Sequence, residues 1–168
     1  AIYEELIAAK KERGDEKSAH ELAAQWSEYV EAAARRAPTN DARASLDPWR
    51  LSAYLALGEP ARAIPFLEES QRLYPDDYNP PARLARVYLE LKRLDEADKA
   101  ADRAIARVYG PRVMRVLGLK ADIAKARGDR AAEISALEQA LARSEKAVLT
   151  EGQRAVREGF ARRLQGLR

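Results

Sequence analysis

One histidine, no cysteine and scattered carboxylates set narrow limits on the chemistry this chain can perform. His20 has only Glu16 and Glu21 as near neighbours of suitable type. A catalytic triad, a zinc site or a proton relay needs more partners than that, so His20 reads as a solvated or partly packed side chain. The absence of cysteine removes disulfides, thiolate metal sites and cysteine nucleophiles, and it leaves the compartment undetermined. Asp76 and Asp77, with Asp47 and Asn79, are rich in oxygen ligands. They do not alternate over a twelve-residue loop with a central glycine, as a calcium loop requires, so turn and cap roles are expected of them. Gly58, Gly110 and Gly128 stand alone and form no phosphate cradle. The pairs Glu4-Glu5 and Glu68-Glu69 fit solvent-facing helix surfaces. No enzymatic activity, cofactor or metal is expected.

The elements that carry these residues are helices. The chain has 168 residues, enough for one domain with a sizeable core. Much of its 46% hydrophobic content is alanine, the strongest helix former and small enough to let helices pack closely. Glycine and proline number eight each and fall mostly between apolar segments. Lys and Arg exceed Asp and Glu by 30 to 27, with no run of five like charges, which argues against a nucleic-acid-binding tail. No apolar segment is long enough to span a membrane, and none reads as a signal peptide. The sequence begins at Ala1, without Met, inside what reads as a helix, and we expect a piece of a longer protein or a processed form.

The middle of the chain says nearly the same thing twice. Tyr54 and Tyr88 are 34 residues apart, and so are Gly58 and Lys92, Ala63 and Ala97, and Ser70 and Ala104. A fixed period of this size marks a stack of helix pairs. A fourth unit follows, displaced by two residues: Lys92 to Gly128 and Ala104 to Ala140 each span 36, which puts the insertion near Gly110-Pro111-Arg112. A weaker first unit precedes, with Gly14 and Gly58 separated by 44.

Read in order, residues 2–13 pattern as a helix and Asp15 as the cap of a long second helix, roughly Glu16 to Arg36. Ala19, Leu22, Ala23, Trp26, Tyr29, Val30 and Ala33 form a stripe along it, so Trp26 and Tyr29 are expected in the core. Asn40 or Asp41 then starts a helix to Leu57, either uninterrupted with a disturbance at Pro48, the favoured reading, or restarted at Asp47-Pro48. Asn79 and Asp95 read as caps of the third pair. Thr150-Glu151-Gly152-Gln153 reads as a capping box opening a final helix that carries Val156, Phe160 and Leu164 on one side. Nine helices are expected, four pairs and a cap that hides the last apolar face.

The order Tyr54, Gly58, Ala63, Leu67, Pro75, followed by Leu84, Ala85, Tyr88, Ala97 and Ala104, resembles the tetratricopeptide repeat. The resemblance implies an all-α, right-handed α-solenoid of about four helix-turn-helix repeats, near 1–37, 41–77, 78–110 and 111–147, with a capping helix at 150–167, as one domain. It implies a non-enzymatic module that binds a peptide or protein segment in a concave groove lined by the first helix of each pair. Carried over repeat by repeat, the groove residues are Ser52, Arg86 and Asp122, with Arg83, Glu90, Lys125 and Trp49 around them, while Ala8, Ala82 and Gly118 leave space. The subclass that grips chaperone C-termini uses a Lys and Asn cluster; Glu4, Ala8, Pro48 and Ser52 stand there instead, so no such clamp is expected. The segment from Arg62 to Pro81 is also loosely similar to repeat modules found behind thioredoxin-like domains in bacterial proteins. Two other readings stay open. One is a self-assembling scaffold or spacer, and the other a nucleic-acid-binding solenoid using the Arg-rich last helix with Arg35, Arg36 and Arg43.

Overall fold

The computed structural model describes residues 2–168 and is helical, with no strand among them. It divides into two compact units, the first ending at Ser70 and the second running from Gln71 to Arg168.

The first unit contains α1 (Ile2–Glu12), α2 (Glu16–Arg36), α3 (Asn40–Ala44), α4 (Asp47–Leu57) and most of α5 (Ile64–Leu73). Asp15 caps α2 by accepting from the Ser18 amide, as its position before the apolar stripe predicts. Ile7, Ala19, Ala23, Trp26, Val30 and Ala53 make the core, with Tyr3 stacked on Trp26 at 5.7 Å. Tyr29 is 66% exposed and so is not part of that core. The buried residues Ala19, Ala23, Ser27, Val30 and Ala34 centre the stripe on the far side of Trp26, which leaves Tyr29 roughly 100° round the helix from its middle.

The expected helix to Leu57 is two helices, α3 and α4, separated by Ser45 and Leu46. Pro48 falls in the first turn of α4, where its missing amide leaves no hydrogen bond unmade. Thr39, one residue earlier than expected, caps α3 by accepting from the Ala42 amide. Asp47 caps nothing. Its side chain turns inward and is 1% exposed.

The second unit contains α6 (Asn79–Glu90), α7 (Leu94–Ile105), α8 (Val113–Arg127), α9 (Arg130–Ser144) and α10 (Glu151–Leu167). Helices α6 and α7 pack as one pair and α8 and α9 as another. Ala97, Ala100, Ala101 and Ala104 of α7 are fully buried, where their small side chains let the neighbouring helices approach closely. Two core clusters run through the unit, one around Val113, Val116 and Leu117, the other around Leu137, Ala121 and Leu164.

The turns repeat as the sequence does. Gly58 ends α4 and Gly128 ends α8, each in the left-handed region at φ 79° and 75°. Lys92, at the matching position after α6, is left-handed too, at φ 59°, the one non-glycine residue with positive φ among those described. The α6 cap differs from expectation: Asn79 donates its backbone and side-chain N–H groups to Asp77. Asp95 lies in the first turn of α7, which begins after Arg93. Thr150 and Gln153 form the expected capping box reciprocally. The described residues thus hold the nine expected helices, with the five-residue α3 in addition to them.

Candidate functional site

Helices α6 and α8 are neighbours in the second unit. On α6, Leu84, Ala85, Val87 and Tyr88 are buried. Arg83, Arg86 and Glu90 recur at steps of three and four, so they share the opposite face. Arg86 and Glu90 are exposed and paired with each other, Arg86 Nε donating to Glu90 Oε1 at 2.9 Å. Arg83 is half-buried. On α8, Asp122 and Lys125 are exposed, and the residues between and beside them, Ala121, Ile123 and Ala124, are buried. In the first unit, Trp49 and Ser52 hold the equivalent stations on α4; Trp49 is 44% exposed and Ser52 half-buried.

Asp122 is already engaged. Arg163 of α10 donates Nη1 to Asp122 at 2.6 Å, Nε to Glu133 at 2.7 Å and Nη2 to the Ala121 carbonyl at 3.2 Å. Burial opposes the charge of Arg163, and the two carboxylates more than offset it, raising its affinity for the proton. The Phe160 ring, one turn earlier on α10, lies against Gly118. The space expected beside Gly118 is therefore filled by the chain's own last helix. Sequence reading missed this because 41 residues separate Asp122 from Arg163, and neither residue carries a spacing that points to the other.

The first unit holds a polar assembly that the repeat pattern does not announce. Arg50 donates Nε and Nη2 to the two oxygens of Glu31 at 2.8 and 3.1 Å. Its guanidinium lies 3.7 Å from the Phe66 ring centroid. Tyr54 donates its hydroxyl to Glu31 at 2.8 Å, and Ser70 donates to the buried Asp47 at 2.6 Å. Burial works against the Glu31 charge, but Arg50 and Tyr54 donate to it and hold its carboxyl below the usual glutamate value. Burial, and after it the same contact with Glu31, pushes the Tyr54 hydroxyl up. A cleft of about 500 Å³ opens above this assembly, lined by Arg35, Asn40, Arg43, Arg50, Phe66 and Glu69 among others. His20 is exposed on α2, and no group of three or more potential metal ligands forms among the described residues. No described helix is long and apolar enough to cross a membrane.

Residues 54–123 match the family model of the tetratricopeptide repeat, a span from the middle of α4 into α8. No curated protein matches the chain. Among solved structures, it is similar to a Podosopora anserina protein described as a kinesin light chain of nearly identical TPR-like repeats. The identity is 19%, the match covers 99% of this chain and 92% of that one, and the TM-score is 0.58. Tetratricopeptide repeats generally mediate protein–protein interaction and are typically non-catalytic. The two likenesses together identify the fold as a TPR-like array of helical repeats, with a tetratricopeptide match at its centre.

Proposed function

We propose that this chain is a non-enzymatic interaction module that holds a segment of another protein on the exposed face of its first-in-pair helices. The observation that carries the reading is the two-faced pattern of α6 and α8, which lies within or beside the matched span. Their apolar residues are consumed by packing, and a polar face with Arg86, Glu90 and Lys125 is left to solvent. Arg83 borders that face, and within the first unit Trp49 and Ser52 take the corresponding repeat positions on α4. Side chains on rigid helices are preorganised, so the ordering cost of binding falls mostly on the incoming segment.

The chemistry of the face favours a segment carrying a carboxylate. Arg86 and Glu90 form an exposed pair, which costs no more than about 1 kcal/mol to open. An acidic ligand group can replace Glu90 at Arg86 and gain support from Lys125. Contacts of this kind are screened by salt, so affinity should be modest and fall as ionic strength rises. Asp122 contributes less than its position suggests, because Arg163 neutralises it.

A photo-crosslinking amino acid tests the assignment. Benzoylphenylalanine is placed at position 86 in one variant and at position 99, exposed on α7, in another. Irradiation in native lysate should trap a protein at position 86 and not at 99, and excess unlabelled chain should suppress the band. Crosslinks at 99 alone, or equal products at both positions, would remove the groove assignment.

A further inference from the structure

The cleft above Glu31 and Arg50 has no part in the α6–α8 reading. Its volume of about 500 Å³ lies within the range that holds small ligands. Three guanidinium groups line it, from Arg35, Arg43 and Arg50, against two carboxylates, Glu31 and Glu69. The buried Asp47, 3.6 Å from Arg50 Nη1, balances the third guanidinium, so what marks the cleft is not its net charge but that the three arginines are not equivalent. Arg50 is committed to Glu31 through two nitrogens, with its plane on Phe66. Arg43 is half-buried and donates through Nη2 to Glu69 at 2.9 Å and to Asn40 at 3.1 Å. Arg35 is exposed and makes no hydrogen bond or contact ion pair with any described residue, its charge acting on Glu31 only at longer range.

Arg35 also lines a second cleft of about 320 Å³, which shares Glu31 and adds Arg62. It therefore stands on the wall between two openings, each with another arginine at its edge. A bidentate Glu–Arg pair with a tyrosine hydroxyl on the same carboxylate is more polar machinery than packing requires, since apolar residues of similar size hold helices together as well. What the pair provides is a rigid floor.

We propose that this cleft receives a phosphate-type anion of two or more charges, held by Arg35 and Arg43 above the floor fixed by Arg50 and Phe66. Planar guanidinium forks match phosphate oxygens two at a time. A monocarboxylate at Arg35 alone would be an ordinary surface pair and would add little. A multiply charged anion that reaches both guanidinium groups engages Arg35, which no carboxylate holds by a hydrogen bond, and shares Arg43 with Glu69. The same group can arrive on a free small molecule or on a phosphorylated side chain of a partner peptide, and the two arms of the test separate these sources.

The test is a calorimetric titration of the whole chain with inorganic pyrophosphate and with a phosphoserine peptide, at ionic strength fixed by chloride. One-to-one binding of at least one probe is expected, and the tighter of the two names the source. Arg35→Gln and Arg43→Gln should each weaken it by about tenfold, the worth of a charge-assisted hydrogen bond in a partly enclosed site. Arg35→Lys should restore only part of the loss, because it keeps the charge without the fork. Arg143→Gln, exposed on α9 and outside both candidate sites, should change nothing. Thermal melts of each variant establish that the fold survives, and exposed Arg35 carries the test alone if Arg43→Gln melts early. Absence of binding by both probes overturns the proposal. So does unchanged affinity in Arg35→Gln.

Discussion

Gly118→Ala places a methyl group where the Phe160 ring already stands. An ideal Cβ at residue 118 would lie 3.1 Å from Phe160 Cε1 and 3.4 Å from Cε2, and closer still to Cζ. Carbon atoms prefer separations of about 3.5–4.0 Å, so the ring must retreat, and α10 with it or apart from it. Two effects compete. Alanine in a helix interior is better than glycine by about 1 kcal/mol. Overpacking a filled contact costs about 1–3 kcal/mol. The second should win, leaving a net loss of about 1 kcal/mol. Gly159→Ala is the internal control, because a Cβ there meets nothing within 4 Å, so only the propensity gain remains and stability should rise by about 0.5–1 kcal/mol. Urea denaturation gives both values, and amide hydrogen exchange shows where the loss falls. Amides of α10 should exchange faster in Gly118→Ala, while those of α6 and α7 keep their protection. Phe160→Leu should cost less in the Gly118→Ala background than alone, since it relieves the clash. If Gly118→Ala stabilises the chain as Gly159→Ala does, the packing of α10 on α8 is not as described.

Three other substitutions probe separate features. Lys92→Gly should stabilise by about 0.5 kcal/mol in urea melts, because relief of the left-handed strain of about 1–2 kcal/mol exceeds the entropy that glycine loses. Ser70→Ala should destabilise by about 1–3 kcal/mol, since the buried Asp47 oxygen loses its donor; a loss within the scatter of exposed substitutions would show that this hydrogen bond carries no weight. Glu31 sets a pH dependence. Its folded carboxyl titrates below its ordinary value of 4.5, so its contribution is present above that pH and is lost as pH falls through the lower folded value. The stability difference between the native chain and Glu31→Gln should hold near neutrality and shrink below about pH 4.5; a gap that widened on acidification would mean the carboxyl is not held by Arg50 and Tyr54.

What the sequence made legible was the periodic part. Tyr54 and Tyr88, Ala63 and Ala97, and the turn positions Gly58, Lys92 and Gly128 recur because each copy meets the same local geometry, and they sit where that recurrence places them. The capping box at Thr150 is local chemistry within four residues and is equally readable. Interactions between distant residues were not. Whether Arg50 meets Glu31, or Arg163 meets Asp122, depends on which faces of helices 19 and 41 residues apart converge. A charged residue on a helix looks the same in sequence whether its partner is water or another chain segment. Asp47 was misread for the same reason: an Asp before a Pro is good cap chemistry, but here its side chain finds Ser70, 23 residues on, instead of a backbone amide. The break at Ser45-Leu46 was open to either reading, because proline tolerates both a helix start and a kink.

The alanines of α7 have a thermodynamic consequence. Ala97, Ala100, Ala101 and Ala104 are buried with no rotamers to freeze, so the α7 side of this interface costs backbone order alone. Each also hides little apolar area, so no single side chain anchors the contact. Cohesion is then spread thinly over many positions, and the layer behaves as a collective. Trimming any one methyl should be mild, whereas enlarging one, as Ala101→Leu would, wedges the helices apart along their whole length. Drift over generations is thereby steered outward: the inner seam can vary only among the smallest residues, and the surfaces that meet other molecules remain free to change.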